Sequence, residues 1–131
     1  MTQTRFDVLT IGNAIVDIIA PVEPGFIERE GMKEGIMHLI DTDRAEDLYG
    51  KMPLGRQQIS GGSAANTARW LGRLGMRPSL VCAVGRDATG RALVADVAAD
   101  GVDVRAVRVA GAPTGRIGVL VEPGGERSFV T

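Results

Sequence analysis

An α/β domain built on a largely parallel sheet is the fold class this sequence predicts. Three observations carry the expectation. Short apolar runs, FDVLTIG (6–12) and SLVCAV (79–84), read as buried strands. Segments of helical periodicity, 63–74 and 91–100, alternate with them, as in βαβ units. Glycine makes up 18 of 131 residues, close to twice the usual ~7%, which implies many turns or close backbone approaches.

Taken in order, FDVLTIG is a nearly continuous apolar run ended by Gly12. AIVDIIAPV (14–22) continues with small interruptions, and PGFIEREGMKEG (24–35) is rich in turn residues. GIMHLID (35–41) reads as another strand. Asp41, Thr42 or Asp43 then caps a helix through RAEDLYGKM (44–52). RQQIS (56–60) is extended, and Ser63–Leu74 is a helix stopped by Gly75 and Pro78. After SLVCAV, GRDATG (85–90) is a loop and RALVADVAAD (91–100) a helix ended by Gly101. VDVRAVRVA (102–110) alternates apolar and polar residues, Thr114–Val121 is a strand, and EPGGER (122–127) is a hairpin turn. These last segments predict an antiparallel β element attached to the parallel sheet. RSFVT (127–131) begins a partner strand, so the chain reads as part of a longer one.

Composition narrows the function classes. Net charge is −1 with no basic tract, which argues against a nucleic-acid partner. No apolar run approaches the roughly 20 residues that span a bilayer, so no membrane partner is expected. Cys82 stands alone, which rules out an internal disulfide and fits a cytoplasmic protein. The N-terminus has no signal-peptide pattern.

The stretch ISGGSAANTARWLGRLG (59–75) places the most permissive backbone at the mouth of a helix. Two readings account for it. Gly61 and Gly62 would let a ligand approach the backbone, with Ser63 capping the helix and Asn66 reaching back toward an N-terminus that favours hydroxyls or anions. Alternatively, Ala64, Ala68, Leu71 and Leu74 form an apolar face that packs closely on a sheet. Trp70 is then partly buried, and Arg69 and Arg73 are a solvated face. The stretch is neither a P-loop nor a dinucleotide fingerprint. A second element is Gly12-Asn13-Ala14-Ile15-Val16-Asp17, directly after the first strand. Ligands of open α/β sheets bind beyond the C-terminal ends of strands. Asp17, set among Ile and Val, needs either a protein donor or ligand hydroxyls. A carboxylate and an amide here suit a vicinal diol such as a ribose.

Four segments in order, GNAIVDI, GGSAANTA, VGRDATG and PTGRIGVLVEPGGERS, resemble the N-terminal part of PfkB/ribokinase-family sugar and nucleoside kinases and cover nearly the whole chain. The Asn-x-x-x-Asp spacing of Asn13 and Asp17 resembles the adenosine-kinase-like branch. The resemblance implies a ribokinase-like, Rossmann-like α/β core with a small β-sheet lid, its C-terminal part missing. Residues 1–131 would be the substrate-binding part of one such domain, with lid segments at about 14–40 and 105–121. It implies transfer of the γ-phosphoryl of ATP, with Mg2+, to a sugar or nucleoside hydroxyl. Asp17 would hold sugar hydroxyls, and Asn13, Gly62, Ser63 and Asn66 would complete the pocket. Gly85, Asp87 and Gly90 would be architectural. The family's Gly-Ala-Gly-Asp stretch, which supplies the catalytic base, does not occur in this sequence. The base is expected beyond Thr131, and neither ATP nor metal is expected for these residues alone, which should be inactive. Uncovered sheet surface should favour association or a homodimer.

Other residues are assigned structural roles. His38 has no metal-ligand spacing around it, Cys82 is a buried inert thiol, and Asp41 and Asp43 cap a helix. Glu28 and Glu30 form a solvated turn, and Arg116 and Arg127 are hairpin surface charge. Two alternatives to the kinase remain. One is a non-catalytic sugar- or nucleoside-binding module, and the other a nucleotide-cofactor Rossmann domain that lacks its fingerprint.

Overall fold

The computed structural model describes residues 5–131. Its elements run β1 (Val8–Ile11), β2 (Ile15–Pro21), α1 (Phe26–Arg29), β3 (Met37–His38), α2 (Thr42–Lys51) and β4 (Gln57–Gly61). They continue as α3 (Ser63–Arg73), β5 (Pro78–Gly85), α4 (Ala88–Ala99), β6 (Asp103–Val109), β7 (Arg116–Val121) and β8 (Arg127–Val130). The strand–helix alternation read from the sequence is present. Its boundaries shift for local reasons. β1 begins only at Val8, because its partner strand begins at Pro78 opposite it. α4 starts earlier than its apolar periodicity, because Asp87 accepts a hydrogen bond from the Gly90 amide and caps the helix there. The turn-rich 24–35 segment holds the short helix α1, and the expected strand at 35–41 pairs over only two residues.

The chain forms two compact units, one taking it to Val16 with Ser60–Gly115, the other Asp17–Ile59 with Arg116–Thr131. The first holds a parallel sheet in the order β1-β5-β6, with Ile11 beside Val81 and Val81 beside Arg105. β6 is therefore a parallel edge strand of this sheet and not part of the expected antiparallel element. The alternation of 102–110 reports a strand with one covered face, whichever way its neighbour runs. Leu80, Cys82 and Val84 of β5 are buried, as are Ala65 and Ala68 of α3 and Leu93 and Val97 of α4. On the other face Leu9, Ile11 and Val107 are 58%, 71% and 62% exposed. Both helices thus cover one side of this sheet.

α3 and α4 are clamped together by charge. Asp100, just past α4, accepts hydrogen bonds from Arg73 Nε at 2.7 Å and Arg73 Nη2 at 3.0 Å, and from Arg69 Nε. Arg69 also pairs with Asp96 at 3.3 Å. These arginines are accordingly not a merely solvated face. Leu74 is the C-cap, beyond the last turn, and is 76% exposed instead of packing. Trp70 is 63% exposed, with the Arg73 guanidinium 5.4 Å from its ring centre.

The second unit carries a five-stranded sheet in the order β3-β8-β7-β2-β4. β7 and β8 pair antiparallel through the expected hairpin turn, with Val119 opposite Phe129. Of the segments assigned to a lid, 15–21, 37–38 and 116–121 lie in this sheet, whereas 105–109 lies in β6. Ile18, Ala20, Ile27, Leu48, Leu120 and Val130 are buried. Asp41 caps α2 by accepting from the Arg44 amide at 2.8 Å, and Asp43 sits in the first turn. Glu30 departs from the expected solvated turn. Its carboxylate takes both Arg44 and Lys51 at 3.0 Å, tying the end of α1 to α2. Arg116 is likewise more than surface charge. It pairs with Glu46 and lies 4.8 Å over the Tyr49 ring. His38 Nε2 stays within hydrogen-bond distance of the Lys33 backbone, a structural role.

Candidate functional site

The helix mouth at 61–66 is built against the loop that follows β1. Gly62 is the N-cap of α3 and has φ +99°, where an L side chain is strained. A Cβ placed on it would fall on the Asn13 carbonyl oxygen, well inside contact distance, and 3.1 Å from the carbonyl carbon. A Cβ on Gly12 would lie 2.8 Å from that of Ala64. The space freed by Gly62 on this side is therefore filled by the chain's own backbone. The packing reading and the ligand reading meet at one residue. The close approach is made by residue 13, which is itself a candidate ligand.

Ser63 does not cap the helix, contrary to expectation. It stands one residue inside α3, no side chain caps this terminus, and its carbonyl accepts the Thr67 hydroxyl at 2.9 Å. With Gly62 at the N-cap, the first-turn amides have no side-chain acceptor of the kind that Asp41 and Asp87 give α2 and α4. Asn66 closes the first turn, its amide donating to the Gly62 carbonyl at 2.8 Å. Ser63 and Asn66 lie three residues apart on one helix, and both are exposed. Asn13 is exposed as well.

Asp17 is the third residue of β2, in the other unit. Its neighbours Val16 and Ile18 are buried, while Asp17 shares the more open face with Ile15 and Ile19. Burial pushes its carboxyl above the ordinary carboxylate range. Among the described residues, the side chains of Asn13, Asp17, Ser63 and Asn66 make no hydrogen bond and no ion pair. The structure packs Asn13 and Gly62 together and sets Ser63 and Asn66 on the same helix. Asp17 follows four residues after Asn13 along the chain.

The VGRDATG segment behaves differently, because the polar groups of Gly85, Asp87 and Gly90 are consumed internally. Asp87 accepts from the Gly90 amide, the Thr114 amide and the Thr114 hydroxyl, each at 2.7 Å. The Gly85 amide donates to Thr114 Oγ1 at 3.0 Å. A Cβ on Gly85 would lie 2.6 Å from the Thr114 nitrogen, and one on Gly90 2.6 Å from its Oγ1. Thr114 is the residue sequence reasoning missed. It is buried, and its only signal was its place between Pro113 and Gly115. Cys82 is buried too, which pushes its thiol up and leaves it inert. No helix among the described residues is long and apolar enough to cross a membrane.

Comparison with known proteins adds the following. The family described as pfkB family carbohydrate kinase matches residues 35–131. The adenosine kinase of Sinorhizobium meliloti is 43% identical, with a TM-score of 0.83, over 97% of this chain and 39% of that one. A probable sugar kinase from Rhizobium etli is 40% identical, with a TM-score of 0.83, over 98% and 39%. Anopheles gambiae adenosine kinase, in complex with P1,P4-di(adenosine-5) tetraphosphate, is 28% identical, with a TM-score of 0.82, over 94% and 38%. The chain thus spans about two-fifths of the length of these relatives, and it shares their ribokinase-like fold over that span.

Proposed function

The chain belongs to the pfkB family of carbohydrate kinases, and we propose that it is the substrate-binding part of an ATP-dependent kinase. The acceptor is a hydroxyl of a sugar or nucleoside, adenosine or a related ribosyl compound. The observation that carries this reading is the set of polar side chains left without intramolecular partners at Asn13, Asp17, Ser63 and Asn66. Two of the three relatives are adenosine kinases by name, which favours a nucleoside.

In this reading Asp17 accepts hydrogen bonds from two hydroxyls of a vicinal diol. Its raised pKa follows from partial burial without a donor, and the diol's O–H groups replace the missing water. Asn13 supplies an amide that can both donate to and accept from a substrate hydroxyl. Ser63 and Asn66 add a hydroxyl and an amide at a helix mouth whose backbone donors no side chain has taken. The result is orientation of a hydroxyl-rich substrate, which is what phosphoryl transfer asks of the acceptor side. ATP supplies the transferred group and Mg2+ screens its charge in such reactions. Among the described residues no group of three or more His, Cys, Asp or Glu is placed to hold a metal. In this reading the nucleotide, its metal and the catalytic base are held by parts of the enzyme outside these 131 residues.

The test is Asp17→Asn in the full-length enzyme. Two hydroxyl bonds to a charged acceptor contribute about 1.5 kcal/mol each, so kcat/KM should fall on the order of 100-fold while the melting temperature holds. Undiminished turnover sinks the assignment.

A further inference from the structure

The sequence holds thirteen arginines, and most are engaged in hydrogen bonds, ion pairs or ring contacts within the fold. Among the described residues, four guanidinium groups make no such contact: Arg86, Arg91, Arg108 and Arg127. Three of these four, Arg86, Arg91 and Arg108, line one shallow hollow of about 380 Å³. Arg86 follows directly on β5, Arg91 lies in the first turn of α4, and Arg108 is the penultimate residue of β6. In the β5–β6 register Arg108 stands beside Val84, so the hollow sits at the carboxyl ends of two adjacent parallel strands. Open α/β sheets bind their ligands there.

Like charges gathered in one place repel. The chain has acids to neutralise them, 16 Asp and Glu against 15 Lys and Arg, yet none pairs with these three. The nearest acid in sequence, Asp87, has its carboxylate committed to Gly90 and Thr114. Asp87 also caps α4, so the helix terminus is already satisfied and the positive character belongs to the side chains. Guanidinium forks match tetrahedral oxyanions two bonds at a time, and three of them match a multiply charged one. None of the residues assigned to substrate binding lines this hollow.

We propose that the Arg86–Arg91–Arg108 hollow is a binding site for a small oxyanion of the phosphate class, free or esterified. The site does not depend on the kinase reading. Three of the four uncontacted arginines meet in one hollow on a chain of net charge −1, which favours a small anion over a nucleic acid.

The experiment is calorimetric titration of the full chain with pyrophosphate and, separately, with glycerol 3-phosphate. Saturable binding that weakens with salt is expected, and the tighter of the two ligands identifies free or esterified phosphate as the source. Arg91→Gln and Arg108→Gln should each weaken it at least about fivefold. Arg91→Lys keeps the charge but not the fork, and should fall between. Arg127→Gln removes the same charge from the one uncontacted arginine outside the hollow and should change nothing. These side chains are exposed, so circular dichroism should be unaltered. Absence of saturable binding overturns the site. Equal weakening by Arg127→Gln overturns it too, because it would show a general charge effect. Tighter capture of a single-stranded oligonucleotide by the same three arginines overturns the small-anion assignment.

Discussion

Replacing Gly62 by alanine separates the two explanations of the helix mouth. At φ +99° a side chain costs on the order of 1–2 kcal/mol in backbone strain alone. The added Cβ would also meet the Asn13 carbonyl, with its carbon at 3.1 Å and the Ala14 Cα at 3.5 Å. These are main-chain atoms, so the loop or the helix must shift, at about 1–3 kcal/mol more. The total is roughly 3 kcal/mol, a large share of the ~5–15 kcal/mol that holds a domain together. For a chain of this size it corresponds to about 10 °C in melting temperature. Two other glycines calibrate the measurement. Gly125 has φ +85° and open space around its missing Cβ, so Gly125→Ala reads the strain alone. Gly124 has open space and no positive φ, so Gly124→Ala should stay within about 0.5 kcal/mol of the parent. The assay is urea unfolding of all three variants. If Gly62→Ala costs no more than Gly125→Ala, the contact with Asn13 is not what requires glycine. A variant of full stability that loses substrate would return the residue to the ligand.

Two further outcomes follow from the first unit. Thr114→Val should cost about 1–3 kcal/mol, because it strands the buried Gly85 amide and removes a donor from Asp87; Thr114→Ser should restore most of it, and an unchanged urea midpoint in the valine variant would contradict the network. Hydrogen bonds from Arg73 and then Arg69 hold the Asp100 carboxyl down at about 2, from its usual 3.8. A depressed carboxylate stabilises the fold above its unfolded value and loses that contribution as pH falls through the folded one. Thermal melts should therefore steepen between pH 4 and 2, and Arg73→Gln should flatten that limb; parallel curves would refute the clamp.

Much of this architecture was legible because its signals are local. SLVCAV is apolar and is largely buried in β5, and EPGGER carries turn residues that fold on themselves. FDVLTIG forms β1 as expected but is not buried, since Leu9 and Ile11 lie on the open face of the sheet. What was not legible depends on partners distant in sequence. Alternation in VDVRAVRVA marks a strand with one open face but not the direction of its neighbour, so β6 was expected antiparallel and pairs parallel with β5. Arg69 and Arg73 look solvated until Asp100, some thirty residues on, comes beside them. Glu30 looks like a turn residue until α2 brings Arg44 and Lys51 to it. Side-chain charge shows on the sequence, whereas its counter-charge is a property of the fold.

That same dependence gives a physical way to tell a binding motif from a structural one. Both glycine-rich segments place small residues and a polar side chain at a helix start, and in composition they look alike. In VGRDATG the carboxylate of Asp87 and the amides of Gly85 and Gly90 turn inward, while Arg86 is exposed. The carboxylate of Asp87 is saturated by two amides and a hydroxyl, and the threonine that completes it is buried. A group so satisfied has nothing left to offer a ligand, and removing it unfavourably exposes its partners. In GGSAANTA and GNAIVDI the backbone is packed as tightly, with Gly62 against Asn13, but the side chains of Asn13, Asp17, Ser63 and Asn66 stay without partners. Asp17 is the sharper case, since it is held in a strand between buried neighbours and given no donor. Folding alone would select against an unpaired carboxylate there, because a valine at that position would be easier to accommodate. Its presence is explained if the missing donors arrive with a substrate. The backbone packing at Gly62 then has a purpose beyond stability, which is to fix Asn13 relative to Ser63 and Asn66 before anything binds.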